Sequence, residues 1–208
     1  MLRLRVEVPD RPGSLAGVTG AVADCGADLV HLAVMHRGTD VAVDDLWLTL
    51  AAEPMTEQLV EALSLVPGVR VLGSRVGAVP IEFDAQLDFL AYLFAAPQRG
   101  VEAFVEMLPA VTDADWAALR DDDIGGNVYR SHVDAPEGKR DDVLTLLAPG
   151  GMTLLVGRDR DLPWHDAEVR RVVSVLELAS LLIAHTTGAA TKTPLTHRFV
   201  TAYGSLAV

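Results

Sequence analysis

Cysteine is almost absent from this sequence of 208 residues, in which Cys25 is the only one. A single cysteine excludes an intrachain disulfide and any metal site that is built from several cysteines. The position of Cys25 next to Gly26, at the end of a predicted helix, favours a reduced and packed side chain over a reactive one.

Positive charge is also scarce, because 17 Lys and Arg stand against 29 Asp and Glu and leave a formal net charge of −12. Such an acidic surface repels phosphate backbones and anionic lipids, so we expect no nucleic-acid partner and no membrane partner. Long apolar runs are missing too. The longest one, residues 172–184, is shorter than the roughly 20 residues that a helix needs to cross a bilayer. The alternating pattern from Leu2 onward is unlike a signal peptide, and the cytoplasm is the expected location.

The common catalytic signatures are absent from the sequence. It contains no Gly-rich phosphate loop, nucleophile elbow, HExxH helix or kinase motif. The six histidines show no such metal-binding spacing, and the acidic run 121–123 lacks the alternation of a calcium loop. We therefore expect that the protein is not an enzyme and has no catalytic residue, no metal site and no cofactor.

The sequence does contain a clear strand pattern at its start. Apolar and charged residues alternate there with period two, which is typical of a strand with one buried and one wet face. The apolar set is Leu2, Leu4, Val6 and Val8, and the charged set is Arg3, Arg5 and Glu7. A turn over residues 10–15 then leads into a predicted helix that ends near Gly26.

The pattern continues with a hairpin, a helix and a strand. Residues 29–36 and 41–50 are predicted strands around the turn Gly38-Thr39-Asp40, a helix begins near Thr56, and a short strand follows Pro67-Gly68. The order βαββαβ predicts a ferredoxin-like fold of the α+β class, with the strands in the spatial order four, one, three, two. The apolar second strand then lies at a sheet edge, which predicts a homodimer.

Two short segments of this half carry a family resemblance. Residues 8–16 read Val-Pro-Asp-Arg-Pro-Gly-Ser-Leu-Ala, and residues 26–29 read Gly-Ala-Asp-Leu. With these segments, residues 2–76 resemble the ACT domain family, a small-molecule sensing module of enzymes and regulators in amino-acid metabolism. The resemblance implies a ligand at a dimer interface, between the first loop of one chain and the second strand of the other. The ligand-binding residues that it implies are Asp10, Arg11, Pro12, Gly13, Ser14, Leu15, Asp28 and Leu29.

The first loop suits a small zwitterion on physical grounds as well. Unpaired N–H groups at a helix start attract a carboxylate, Gly13 allows close approach to the backbone, and Asp10 can accept from an ammonium group. The alternative is structural, with Asp10 capping the helix and Gly13 permitting tight packing of the helix on the sheet. Asp28 stands where many ligand-binding relatives of the ACT family carry Asn.

The second half predicts a separate α+β domain. Two apolar helical faces lie between residue 83 and Pro109, strand patterns cover residues 116–120, 128–133, 143–148 and 152–158, and Asp166 can cap a long closing helix. Residues 154–158 and 162–168, together with 112–119, make this half resemble a short GAF domain, although it lacks the NKxnFx3DE cyclic-nucleotide motif and a chromophore cysteine. We assign residues 1–76 to the ACT domain, 77–82 to a linker, 83–186 to the GAF-like domain and 187–208 to a C-terminal tail.

Two functions of different class fit these features. The first is a regulatory protein that senses a small molecule, an amino acid in particular, at the ACT dimer interface and has no chemistry of its own. Its signal would pass to the second domain or to a partner enzyme or regulator. The second is a homo-oligomeric assembly protein whose two modules bind no ligand.

Overall fold

The computed structural model describes residues 1–51, 55–77, 80, 83–96, 99–121, 123–131, 143–148, 152–158 and 162–186. These residues form an α+β protein that divides into two compact units. The first contains the described residues of Met1–Pro80 and Asp161–Ala167, and the second contains those of Ile81–Arg160 and Glu168–Val208. The predicted tail, 187–208, lies outside the described residues, as does most of the predicted linker.

The first unit has the predicted order of elements. They are β1 (Leu2–Pro9), α1 (Ser14–Asp24), β2 (Asp28–Arg37), β3 (Val41–Thr49), α2 (Met55–Ser64) and β4 (Arg70–Val76). The strands form one antiparallel sheet in the order β2-β3-β1-β4, which is the order that right-handed crossovers predict. Strand β2 therefore lies at an edge of this sheet.

One face of this sheet holds an apolar core. Side chains of β1 and β3 pack there with those of α1 and α2, because alternate residues of each strand point to this face. The core includes Leu2, Leu4, Val6, Val8, Val18, Val22, Leu46, Leu48, Leu59 and Leu63.

The opposite face of β1 is not wet, which corrects the expectation from the alternating pattern. Arg3 and Arg5 are only 3 % and 2 % exposed. Both guanidinium groups donate to the carboxylate of Asp45 on β3, and Arg5 does so through two bonds of 2.8 and 2.9 Å. Arg5 also donates to the carbonyl oxygen of Pro163 at 2.7 Å. We call Arg3, Arg5 and Asp45 the arginine cluster.

The second unit contains a second antiparallel sheet. Its strands β5 (Trp116–Asp121), β6 (Gly126–Arg130), β7 (Val143–Ala148) and β8 (Met152–Gly157) have the order β6-β5-β8-β7. The helices are α3 (Phe83–Ala95), α4 (Gly100–Thr112) and α5 (Asp166–Thr186), of which α5 begins with two residues of the first unit. This layout is α+β, as expected, and its GAF-like character stays a prediction.

Two details of the second unit correct the sequence interpretation. Helix α4 does not end before Pro109 but continues to Thr112, whose hydroxyl donates to the carbonyl of Leu108 at 2.7 Å within this last turn. Strand β6 (Gly126–Arg130) begins two residues before the predicted start at residue 128, because its pairing with β5 begins directly after the turn, at Gly126 opposite Asp121. Residues 132 and 133 lie outside the described residues.

A buried ion pair also lies in the second unit. The guanidinium of Arg158 donates to both carboxylate oxygens of Glu168, at 2.8 and 2.7 Å, and both side chains are almost completely buried. The carboxylate of Asp113 lies 3.9 Å from the same guanidinium.

No helix within the described ranges has the length and apolar character needed to span a membrane.

Candidate ligand-binding site

A cavity of about 380 Å³ opens in the first unit, where β1 ends and α1 begins. Its volume falls within the range of roughly 300 to 1,000 Å³ that small-molecule sites occupy. The cavity is lined by Val8, Pro9, Asp10, Arg11, Pro12, Gly13, Ser14, Leu15, Val34, Arg37, Ala42 and Asp44. Six of the eight predicted binding residues, 10 to 15, therefore lie together around one cavity.

The loop at the start of α1 has a geometry that requires glycine. Gly13 is the N-cap residue, and its φ of 91° lies in the left-handed region that side chains rarely adopt. No side chain caps α1, so the alternative in which Asp10 caps this helix is wrong. Two amide groups are already used by the turn itself, since Ser14 donates to the Arg11 carbonyl at 3.3 Å and Ala16 to the Gly13 carbonyl at 3.0 Å.

Asp10 has a partner on the neighbouring strand. Its carboxylate accepts two hydrogen bonds from the guanidinium of Arg37 on β2, at 2.7 and 3.2 Å. The hydrogen bond and the positive charge of Arg37 lower the pKa of Asp10, which therefore stays ionised near neutral pH. The carboxylate that the sequence offers to a ligand ammonium is thus already neutralised by a cation within the chain.

Asp44 is a second acid of this cavity, and the sequence analysis does not identify it. It lies on β3 on the same sheet face as Ala42 and Leu46 and is 2 % exposed. Its Oδ1 has no hydrogen-bond partner among the described residues. Burial raises the pKa of the Asp44 carboxyl, and the negative charges of Asp45 and Asp10 raise it further. A signal for this residue does exist, because a charged residue at an inward position of an alternating strand requires an explanation.

A hydroxyl group of the cavity is unpaired as well. Ser14 Oγ, directly after the N-cap of α1, is buried without a hydrogen-bond partner in the part of the chain that the structure describes. Buried polar groups in native proteins are nearly always hydrogen-bonded, and an unpaired one costs about 1 to 3 kcal/mol. One cavity thus contains two polar groups, Asp44 Oδ1 and Ser14 Oγ, that would each gain a partner from a bound molecule.

Asp28 and Leu29 do not join this cavity within one chain. Asp28 pairs with Thr49 at one end of the β2–β3 ladder, whereas Arg37 pairs with Ala42 at the other end. Nine residues of strand span about 30 Å. Asp28 is exposed and Leu29 packs partly against the apolar core. A site that unites these two residues with the first loop would need a second chain.

Metal-binding and thiol chemistry have little support in the described ranges. No group of three or more His, Cys, Asp or Glu side chains there is arranged to hold a metal ion. Cys25 is the C-cap residue of α1 and is partly buried. The arrangement around the cavity suits recognition by charge and hydrogen bonding.

Comparison with known proteins gives no family assignment. No protein-family model matches the chain, and no curated protein matches it either. Among solved structures, an unknown protein from Galdieria sulphuraria is similar at 16 % identity with a TM-score of 0.29, over 90 % of this chain and 92 % of that one.

Two further solved structures show similarity of the same degree. A protein from Bacteroides thetaiotaomicron has 12 % identity and a TM-score of 0.29, over 84 % of this chain and 85 % of that one. The regulatory subunit of aspartate kinase from Thermus thermophilus, in a ligand-free form, has 14 % identity and a TM-score of 0.33, over 85 % and 96 %. Similarities this weak leave the function to be inferred from the residues of this chain.

Proposed function

We propose that this protein is a regulatory sensor that binds a free amino acid in the cavity at the start of α1 and has no chemistry of its own. The observation that carries the proposal is the pair of unpaired buried groups in one cavity, Asp44 Oδ1 and Ser14 Oγ. A ligand with both a donor and an acceptor would satisfy the two groups together. The resemblance of residues 2–76 to the ACT domain family favours an amino acid as this ligand.

The start of α1 is the proposed carboxylate end of the site. The positive end of the helix dipole lies there, the Ser14 hydroxyl can donate to an anion, and the exposed Arg11 side chain adds a positive charge. Gly13 leaves its backbone open, because a Cβ at this position would meet no atom within 4 Å. These features support binding of a carboxylate by the loop from Asp10 to Leu15.

A second subunit would complete the site in this proposal. Asp28 and Leu29 of the partner subunit would face the first loop across a dimer that forms through β2. Binding would then change the strength or geometry of subunit association, and a partner enzyme or regulator would read that change. The proposal agrees with the βαββαβ order and with the edge position of β2.

An amino acid should therefore stabilise the protein against heat. At one hundred times its dissociation constant, a ligand adds about 2.7 kcal/mol to the free energy of unfolding. For a chain of this size the melting temperature should rise by roughly 5 to 10 °C, at about 2 to 4 °C per kcal/mol. Differential scanning fluorimetry with each of the twenty amino acids measures the shift. A shift of less than about one degree with all twenty would contradict the sensor.

Substitution at Ser14 supplies the matched control for this measurement. Ser14→Ala removes a hydroxyl that bonds to none of the described residues, so the fold should persist while the ligand binds about 2- to 10-fold more weakly. Thr19→Ala removes an exposed hydroxyl from the same helix outside the cavity and should leave affinity unchanged. Equal loss in both variants would point to a general effect on α1.

A homo-oligomeric assembly protein without a ligand is the second candidate, and the edge strand β2 favours it. Val30 and Val34 of this strand are 50 % and 52 % exposed, and an apolar edge strand is a template for pairing with another chain. Under this alternative the unpaired groups of the cavity would have no ligand.

The dimer itself can be tested at Val30. Val30→Asp should weaken self-association by more than about tenfold, because it introduces a charge at each strand edge of a two-fold interface. Leu65→Asp is the control, since Leu65 is 79 % exposed and lies outside β2. Light scattering at micromolar concentration measures the mass. A wild-type monomer, or a dimer that survives Val30→Asp, would exclude assembly through this edge.

A further inference from the structure

The cavity is lined by one acidic and one basic residue that have no ion-pair partner among the described residues. Four charged side chains line it, and two of them, Asp10 and Arg37, neutralise each other. Asp44 and Arg11 are the other two, one negative and one positive. A ligand that matches them must bring a cation to Asp44 and an anion to the side of Arg11.

We infer that Asp44 is the ammonium-binding residue of the cavity, and that the ligand is an amino acid with an uncharged aliphatic side chain. This inference rests on the proposed function and deepens it by assigning the second pole of the site. A primary ammonium group supplies three donors, which suit a buried carboxylate whose Oδ1 has no partner. The contact would also offset the cost of keeping that carboxylate away from water.

The rest of the lining decides the side-chain class of the ligand. Beyond the four charged residues, Gly13 and Ser14, the lining is apolar and consists of Val8, Pro9, Pro12, Leu15, Val34 and Ala42. A charged ligand side chain would find no opposite charge left after its ammonium and carboxylate are paired. An aliphatic side chain would instead gain free energy by leaving water against this surface.

The surroundings of Asp44 suggest how the free protein behaves without the ligand. Burial and the charges of Asp45 and Asp10 all raise its pKa, and only the charge of Arg37 lowers it. The ionised carboxylate is therefore less stable in the unliganded fold than it is in water. Asp44→Asn has nearly the same shape and removes this charge, so the variant should fold and should melt at or above the wild-type temperature.

The test compares three probes that share one aliphatic group: L-valine, isovalerate, which lacks the amine, and isobutylamine, which lacks the carboxylate. Each is titrated into wild-type protein, Asp44→Asn and Asp40→Asn, and binding is measured by ligand-observed NMR. Asp40 is the control because it is exposed and does not line the cavity. Asp44→Asn should weaken binding of valine and isobutylamine about 10- to 100-fold and should not weaken binding of isovalerate. Asp40→Asn should change none of them.

The outcomes separate this inference from the proposed function. Valine binding that is equal in wild type and Asp44→Asn overturns the role of Asp44 and leaves the amino-acid sensor standing. A melting shift confined to amino acids with charged side chains overturns the aliphatic class alone. Isobutylamine binding that depends on Asp44, without binding of any amino acid, supports the ammonium contact and removes the sensor. Failure of both amine-bearing probes to bind the wild type overturns the inference.

Discussion

Replacing Asp45 by alanine should lower the free energy of unfolding by about 3 to 5 kcal/mol, a large part of the 5 to 15 kcal/mol that stabilises a typical domain. Asp45 is completely buried and supplies the carboxylate for both Arg3 and Arg5. Removing it takes away the carboxylate that accepts hydrogen bonds from both buried guanidinium groups. The cost comes from the lost compensation of these two buried charges and not from the small volume that is lost.

The measurement is urea denaturation followed by circular dichroism. Glu7→Ala is the matched control, because Glu7 pairs with Arg70 at 2.9 Å on the same strand but at the surface, where such pairs contribute about 1 kcal/mol or less. Replacing Arg3, Arg5 and Asp45 together by apolar residues of similar size should recover most of the stability that Asp45→Ala loses. A loss below about 1 kcal/mol in Asp45→Ala would show that the arginine cluster contributes no more to stability than a surface ion pair.

Replacing Glu168 by alanine should have an effect of similar size in the second unit, about 3 to 5 kcal/mol. Arg158 is fully buried and is paired through two hydrogen bonds, and Asp113 at 3.9 Å is too distant to replace both of them. The Arg158 guanidinium would then keep only part of its compensation. The second unit should melt at a clearly lower temperature.

Differential scanning calorimetry measures this change and relates it to the first prediction. Glu102→Ala is the control, because Glu102 pairs with Arg99 at 3.2 Å on the exposed surface of the same unit. If the two units unfold separately, Asp45→Ala and Glu168→Ala should each shift a different transition, and their effects should add. A single transition that both variants shift would show that the two units unfold as one.

Local pattern predicts the first sheet well, for a physical reason. The alternation on β1 and the turn residues after it fix which residues face the helices, and the handedness of crossovers then fixes the strand order. The same pattern fails at Arg3, because the carboxylate that allows this residue to be buried lies 42 residues further along the chain. Ion pairs between residues far apart in the chain produce no periodic pattern in the sequence.

The candidate site also has a part that the sequence predicts and a part that it does not. The loop from Asp10 to Leu15 is recognisable from its own residues, and the structure assembles it around the cavity. Asp44 is placed beside the loop by the pairing of β1 with β3, which the loop sequence does not reveal. The ion pair of Asp10 with Arg37 likewise depends on the position of the last residue of β2. The eight residues implied by the family resemblance describe the loop and leave out the acid that lacks a partner.

The hydrogen bond from Arg5 to Pro163 delays completion of the first unit while the chain is being synthesised. Its two ends are separated by 158 residues. A ribosome adds roughly 5 to 20 residues each second, so this carbonyl emerges about 8 to 30 seconds after the strand that it joins. The first unit can begin to fold before the second is synthesised. Its folding cannot be completed until all four strands of the second unit have left the ribosome. Until then the nascent first unit lacks this bond, while the two bonds from Arg5 to Asp45 can already form.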